Sequence, residues 1–259
     1  MVDSLPPMPT ELIQRLENAG LDGLPALATV EEDGWLLRRS QGYSRRANCV
    51  MPLGPCAGDL KEKIDHAEAI FSADRLDCTF KVTPASQPAG LDEELELRGY
   101  ERDAETSILA CDMAQSPIMP DGVRLLDRPD DTWLETWRAL SPRTEQSDIL
   151  LQLLQAIEVP AIYAVIMPAG TDSAIGIGCA RAVISANWVG LFDLAVHADH
   201  RDRGHGQALA HARLAWAYER GARSAYLQVM AGNQVARRLQ MRLGFVEAYR
   251  YWYRIKRAS

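Results

Sequence analysis

A mixed α/β chain built as two similar halves is what this sequence predicts, and three observations carry the prediction. Strand-like and helix-like stretches alternate along most of its 259 residues. The order helix, strand, helix, Gly-aromatic, strand occurs twice, so that Val82 answers to Val229 and Gly99-Tyr100 to Gly244-Phe245. Between the two occurrences lies Met113 to Gly122, rich in proline and turn residues. The expected boundary falls there, giving one domain over 1–116 and another over 117–259.

The elements follow in order. Pro9 to Ala19 reads as a short helix, and Gly34 to Ser40 with Tyr43 to Leu53 as a hairpin around Gln41-Gly42. Leu60, Ile64, Ala67 and Phe71 share one face of a helix over 60–71. Thr79 to Val82 is a strand, Leu91 to Leu97 a helix closed by Gly99, and Ser107 to Asp112 a strand. The second half opens with the strand Val123 to Leu126, followed by helices over Thr132 to Leu140 and Gln146 to Ile157. Ala161 to Met167 and Ala174 to Ile184 are strands joined by a turn at Ala169-Gly170-Thr171-Asp172, and Trp188 to Val196 is the next strand. A helix from about Gly206 to Arg220 presents Ala208, Leu209, Ala212, Ala215 and Trp216 on one face. Ser224 to Met230 is a strand, Asn233 to Leu243 a helix with Val235, Ala236, Leu239 and Leu243 inward, and Val246 to Lys256 one or two last strands. Trp35, Trp133, Trp137, Trp188 and Trp216 are expected in the core.

Composition sets limits on function. The chain has 47% hydrophobic and 24% charged residues, a globular balance. No apolar run reaches the length of a membrane span, and Met1 to Asn18 lacks the pattern of a signal peptide. Cys49, Cys56, Cys78, Cys111 and Cys179 are odd in number and show no metal-like spacing, which suits reduced thiols in a cytoplasm. Up to Ser116 there are 11 Lys and Arg against 21 Asp and Glu; from Pro117 on there are 17 against 14. The acidic first half speaks against nucleic-acid partners, and the mildly basic second half is compatible with an anionic cofactor. His197, His200, His205 and His211 match no standard zinc spacing, so no metal is expected.

The chemistry concentrates between Leu191 and Gln207. An apolar strand ending in Leu194-Ala195-Val196 runs through a polar turn into Gly204-His205-Gly206, which opens an alanine-rich helix. Glycines there let the backbone approach a ligand, and the first amides of a helix are unpaired and carry the positive end of its dipole. The corner is a seat for a phosphate or pyrophosphate. A dinucleotide-binding turn would need three glycines after an early strand, and a P-loop would need Gly-Lys-Ser/Thr; neither is present.

Arg201-Asp202-Arg203-Gly204-His205-Gly206 fits the pattern Arg/Gln-x-x-Gly-x-Gly/Ala. It resembles the pyrophosphate loop of the GNAT superfamily of acyl-CoA-dependent N-acetyltransferases. Leu227-Gln228-Val229, followed by Asn233, Ala236, Leu239 and Leu243-Gly244-Phe245, resembles the superfamily's later strand and helix. Two GNAT-like domains, each a twisted mixed sheet flanked by helices, is the fold the resemblance implies.

The resemblance also implies roles. Acetyl-CoA would be the co-substrate. Backbone amides of Arg201, Asp202, Arg203, Gly204, His205, Gly206 and Gln207 would cradle its pyrophosphate. Arg201 and Arg203 would add charge there, unless they are solvated surface residues. Leu194, Ala195 and Val196 would pair with the pantetheine arm at a point where the strand splays from its neighbour, and a backbone amide there would polarise the thioester carbonyl. Asn233 would touch the pantetheine, cap its own helix, or both. Where many members carry a tyrosine, this chain has Gln240, which cannot act as an acid. Tyr249 is the candidate acid, with Tyr251 and Tyr253 beside it, although strand alternation also suits them to the core. Asp193, a charge inside an apolar strand, is the candidate base, with a structural hydrogen bond as its other use; His197 comes second.

The first half lacks the loop. Leu53-Gly54-Pro55-Cys56-Ala57-Gly58-Asp59 has no arginine, and Asp59 would cap the following helix and repel a phosphate. The hairpin resembles one in a bacterial subgroup of tandem GNAT proteins with a degenerate first half. Arg45, Arg46 and Asn48 are candidates for a cleft between halves, or for the polar face of an exposed strand. The expected function is transfer of an acetyl group to a primary amine by direct attack, on a small molecule or a peptide. The alternative is a non-catalytic acyl-CoA-binding module, favoured by Gln240.

Overall fold

The computed structural model describes residues 8–168, 170 and 173–258. The expected turn at Ala169-Gly170-Thr171-Asp172 lies outside the described residues except for Gly170. Among the described residues no helix is long and apolar enough to cross a membrane.

The first half runs α1 (Thr10–Gly23), β1 (Ala28–Glu32), β2 (Trp35–Arg39), β3 (Cys49–Pro52), α2 (Leu60–Ala73), β4 (Cys78–Val82), α3 (Leu91–Leu97) and β5 (Glu101–Asp112). The second runs β6 (Val123–Leu126), α4 (Asp131–Leu140), α5 (Ser147–Gln155), β7 (Ala161–Ile166), β8 (Gly178–Ser185), β9 (Trp188–Val196), α6 (His205–Glu219), β10 (Ser224–Met230), α7 (Gln234–Arg242) and β11 (Val246–Lys256).

The repeat is visible in the details. In both halves a hairpin leads to a parallel pair, β3 with β4 and β9 with β10. The helices before the last strands end alike. Gly99 and Gly244 both have positive φ, and the aromatic amides that follow bond back to Leu95 O and Gln240 O. Glycine supplies that left-handed residue without a Cβ penalty.

The strands nevertheless form one sheet, in the order β1-β2-β3-β4-β11-β5-β10-β9-β8-β7-β6. The last strands are exchanged: β11, from the second half, lies antiparallel to β4 and β5, while β5, from the first half, lies antiparallel to β10. The ladder therefore runs unbroken across the junction, and the connection 113–122 closes no separate sheet.

Packing follows the two faces. On one, α6 covers Ala182, Val189 and Leu191 through Leu214, Trp216 and Ala217. On the other, α1 places Ile13, Leu16 and Ala19 against Val183, Phe192, Tyr226 and the β11 tyrosines. Helices α4 and α5 bury Trp133, Trp137, Leu150 and Leu153 beside Tyr163 and Cys179, and Tyr43 and Ala47 of the first half join them. Trp35, Trp133, Trp137 and Trp216 are buried as expected, and Trp188 is half-buried.

Four local expectations are corrected. Strand β1 was not anticipated, because all five of its residues are exposed and carry no apolar pattern. The hairpin's second arm begins only at Cys49. Asn48 Oδ1 accepts from Ser40 N and Gly42 N while its Nδ2 donates to Ser44 O, so the chain curls into a short 3-10 turn over Arg45–Ala47. Strand β8 begins at Gly178 rather than Ala174, the preceding segment being held by Ile177 N on Ile166 O and Gly176 N on Thr136 Oγ1. In α7, Val235 points outward at 78% exposure, while Ala236, Leu239 and Leu243 are half-buried and Gln240 is buried beside them.

Candidate active site

The site grows from a failure of pairing. The parallel ladder between β9 and β10 ends at Leu191↔Leu227, although β9 continues to Val196 and β10 to Met230. The two strands diverge there. On its other edge, β9 carries a bulge: Arg181 faces Phe192, but Cys179 faces Ala195, so β9 has one residue too many. Asp193 absorbs the irregularity with φ 53°, an uncommon conformation for a non-glycine residue. Leu194, Ala195 and Val196, beyond the bulge, are half-buried.

The turn after β9 is a short 3-10 segment, Ala198–His200, capped when the His197 ring accepts from Asp199 N. Arg201 folds back, its Nε donating to Val196 O at 3.2 Å. Asp202 and Gly204 have φ 60° and 84°, and Gly204 is the N-cap of α6 with no side chain to close it. Arg201, Asp202, Arg203 and Gly204 are exposed, so the first amides of α6, at His205, Gly206 and Gln207, face an open corner. A Cβ on Gly206 would stand 3.3 Å from Leu239 Cδ2, which ties the helix start to α7. Asn233 caps α7 by accepting from Ala236 N at 3.0 Å. His197, His200 and His205 lie in a row, edge to face and then tilted, with ring centroids 5.9 and 6.2 Å apart. Among the described residues no group of His, Cys, Asp and Glu is arranged to hold a metal.

Asp193 is an ion-paired residue. Its carboxylate accepts from Arg181 Nε at 2.8 Å, and its side chain is 14% exposed. Burial pushes the carboxyl up, but Arg181 outweighs it, with help from Arg46 and Arg213, and holds it below the usual carboxylate range. Arg181 is itself fixed, donating Nη1 to Gly23 O at 2.6 Å and lying 4.6 Å over the Phe192 ring. A Cβ on Gly23 would overlap that ring, so α1 approaches the bulge closely only because residue 23 is glycine.

Tyr43 arrives from the first half. Burial, then the Asp193 charge, pushes its phenol up to about 12 against the pull of Arg143, Arg46 and Arg181. The Arg143 guanidinium lies 5.8 Å from its ring. Beside Asp193, Arg46 is the one residue of this cleft among those expected from the sequence; Tyr43, Arg143, Arg181 and Arg213 join it only through the fold. Arginines inside the apolar runs of β8 and α6 were a signal available for the last two.

Tyr249 stands elsewhere. Its hydroxyl donates to Glu17 Oε1 at 2.7 Å, and Glu17 also pairs with Lys81 in the interior. Burial, then Glu17, pushes this phenol well above its ordinary range. The neighbouring Tyr251 donates to Gln228 Oε1 at 2.7 Å. The two tyrosines therefore belong to a buried network between α1, β4 and β11. Arg45 pairs with Asp103 at the surface. Gln240, 4% exposed, keeps a buried Oε1 without a hydrogen-bond partner.

The corner sets an open helix start beside a splayed and bulged strand. A family model described as “Probable histone acetyltransferase Rv0428c C-terminal” matches residues 10–254. The chain belongs to that family, within the GNAT superfamily. This GNAT protein is 28% identical over 230 residues to “Probable histone acetyltransferase Rv0428c” of Mycobacterium tuberculosis (strain ATCC 25618 / H37Rv), covering 86% of this chain and 68% of the relative. It is 26% identical over 257 residues to “Uncharacterized N-acetyltransferase YobR” of Bacillus subtilis (strain 168), covering 95% and 99%. In fold it is similar to a GCN5-related N-acetyltransferase from Kribbella flavida, with a TM-score of 0.65 at 17% identity, covering 95% of this chain and 96% of the other. It is also similar to a tandem GNAT protein from the clavulanic acid biosynthesis pathway, with a TM-score of 0.61 at 15% identity, covering 94% and 88%. The chain is an acyltransferase of GNAT type.

Proposed function

We propose that this GNAT protein moves an acetyl group from acetyl-CoA to a primary amine, and that the cofactor binds only to the second half. The observation that carries the reading is the uncapped start of α6, at Gly204, set directly after the splayed segment of β9. Amides from Asp202 to Gln207 would hold the pyrophosphate, that of Arg201 being bonded to Ala198 O, and Arg201 and Arg203 would supply screened charge. The free edge of Leu194 to Val196 would take the pantetheine as an added strand. Asn233, already a helix cap, would border it.

The residues present suit direct attack. Asp193 is proposed to receive the amine's proton. It is ionised and weakly basic, which suffices because a nitrogen bonding to the thioester carbon becomes strongly acidic as it attacks. The bond formed is N–C and the bond broken is C–S. The sulfur leaves as thiolate, a stable anion for a group whose ordinary pKa is about 8.5. No acid is therefore required of Gln240, or of Tyr249, whose proton is committed to Glu17. The division at about residue 116 is proposed as a division of labour: residues 117–259 hold the cofactor, and the first half supplies Tyr43 and Arg46 to the acceptor side. A cytoplasmic setting suits five unpaired cysteines.

The test is release of free CoA from acetyl-CoA in the presence of a panel of primary amines: a polyamine, an aminoglycoside, a lysine peptide and a free peptide N-terminus. Saturable, amine-dependent release is expected for at least one class. CoA binding without any amine-dependent turnover would defeat the catalytic reading and leave a binding module.

A further inference from the structure

The bulge that defines the site is held open by a side chain that reaches it from α6. Arg213 lies in the middle of that helix and is 1% exposed. Its Nε donates to Leu209 O, one turn earlier, at 2.9 Å. Its Nη1 donates to Arg181 O at 2.9 Å and to Phe192 O at 3.2 Å. Those two residues face each other across β8 and β9 at the last pair before the register slips. One nitrogen thus bridges the two strands where their ladder breaks, while the other, Nη2, is buried without a partner.

The consequence is geometric. The Phe192 carbonyl and the Asp193 N–H belong to one planar trans peptide and point in opposite directions. Fixing the carbonyl aims the N–H. From the other side, Arg181 grips the Asp193 carboxylate, so Asp193, itself in the left-handed conformation, is held at both its backbone and its side chain. Burying a guanidinium is expensive, and burial pushes that of Arg213 down to about 9. Leucine or methionine would fill such a helix position without that cost, and neither would bridge the two carbonyls.

We propose that Arg213 is a positioning residue for acyl transfer, fixing the Phe192–Asp193 peptide so that the bulge seats the thioester carbonyl. The inference rests on the CoA reading above and goes beyond it, since it assigns to α6 a role in orienting the acyl group as well as the phosphates.

The test compares two ligands that differ only in the acetyl group. Calorimetry on the whole chain measures the affinities of acetyl-CoA and of CoA. Infrared spectroscopy follows the carbonyl stretch of 13C-labelled acetyl-CoA on binding. The unsubstituted protein should prefer acetyl-CoA by about tenfold, the worth of one well-formed hydrogen bond, and should lower the carbonyl frequency. Arg213→Met should keep CoA affinity within about twofold and lose both the preference and the frequency shift. Arg213→Lys, which retains a donor but not the fork, should recover part of each. If Arg213→Met does not fold, Arg213→Lys decides: a full preference and an unchanged frequency overturn the proposal. Equal weakening of both ligands would mark Arg213 as merely structural and overturn it too, as would an unsubstituted protein that binds CoA and acetyl-CoA alike. Failure of the unsubstituted protein to bind either ligand would instead remove the CoA reading itself.

Discussion

Helices α2 and α6 occupy the same place in the two halves, each following the strand that begins a parallel pair, yet their N-termini are opposites. At α2 the Asp59 carboxylate accepts from Lys61 N and Glu62 N, so two of the orphan amides are already used. Asp33 adds a second carboxylate, accepting from Ala57 N and pairing with Lys63. At α6 the N-cap is Gly204, with no side-chain cap, and the flanking charges, Arg201, Asp202 and Arg203, are net positive. The strands ahead of them differ as well. Strand β3 consists of four buried residues, whereas β9 bulges at Asp193 and separates from its neighbour. The same corner can be satisfied by its own carboxylate or left for an anion from outside. The physics is common to both, because unpaired amides at a positive dipole end require an acceptor.

Four variants would break or sharpen this contrast. The largest effect is expected at the bulge, the feature β3 lacks. Asp193→Asn should lower amine-dependent turnover by about 100-fold, the scale of a lost proton acceptor, with CoA affinity nearly unchanged; steady-state rates beside calorimetry separate the two. The same residue sets an acid limb. Because Arg181 holds the folded carboxyl below its unfolded range, the stabilisation is complete above the ordinary carboxylate pKa and fades as pH falls through the folded value. Thermal melts between neutral and acid pH should show a larger loss in the unsubstituted chain than in Asp193→Asn, which keeps only the acid sensitivity of other paired carboxylates such as Asp92 and Glu247.

Next in size is Gly204→Val. A β-branched residue at φ 84° is strongly disfavoured. The loop should move, and CoA affinity should fall by about 30-fold or more, equivalent to roughly 2 kcal/mol of strain and lost amide contacts. Replacing Arg201 and Arg203 together with alanine should weaken CoA by about tenfold and flatten its dependence on salt, since exposed charges act through a screened field. Asp59→Ala is the reciprocal experiment. It should cost about 1 kcal/mol of stability, the usual worth of an N-cap, and leave CoA stoichiometry at one site per chain. A second CoA on this variant would show that the cap alone keeps the first half silent.

Much of this was legible in advance because it is local. The α6 loop, the Asp59 cap, the glycine ends of α3 and α7, and most element boundaries rest on residues within a few positions of one another. The misreadings have physical reasons as well. The exposed edge strand β1 buries nothing, so it leaves no periodic trace. Asn48 bends a hairpin arm through hydrogen bonds that no pattern of apolar residues reveals. Helix α7 turns Val235 to solvent and buries Gln240, because the face toward the sheet is chosen by what it packs against. Tyr249 looked like an acid by its place on the last strand, but Glu17, 232 positions away in sequence, takes its hydroxyl.

By itself, then, the sequence determined the repeat, the open corner at Gly204, its closed counterpart at Asp59, and the family to which those motifs belong. Each follows from caps, glycines and spacings that act over one or two turns of chain. Only the tertiary structure decided that the halves exchange their last strands, that Tyr43 reaches the second half, and that Arg181 and Arg213 grip the bulge around Asp193. Those outcomes depend on which distant segments share a buried, low-dielectric space, where charges need partners and strands need neighbours, and a one-dimensional pattern does not encode that proximity.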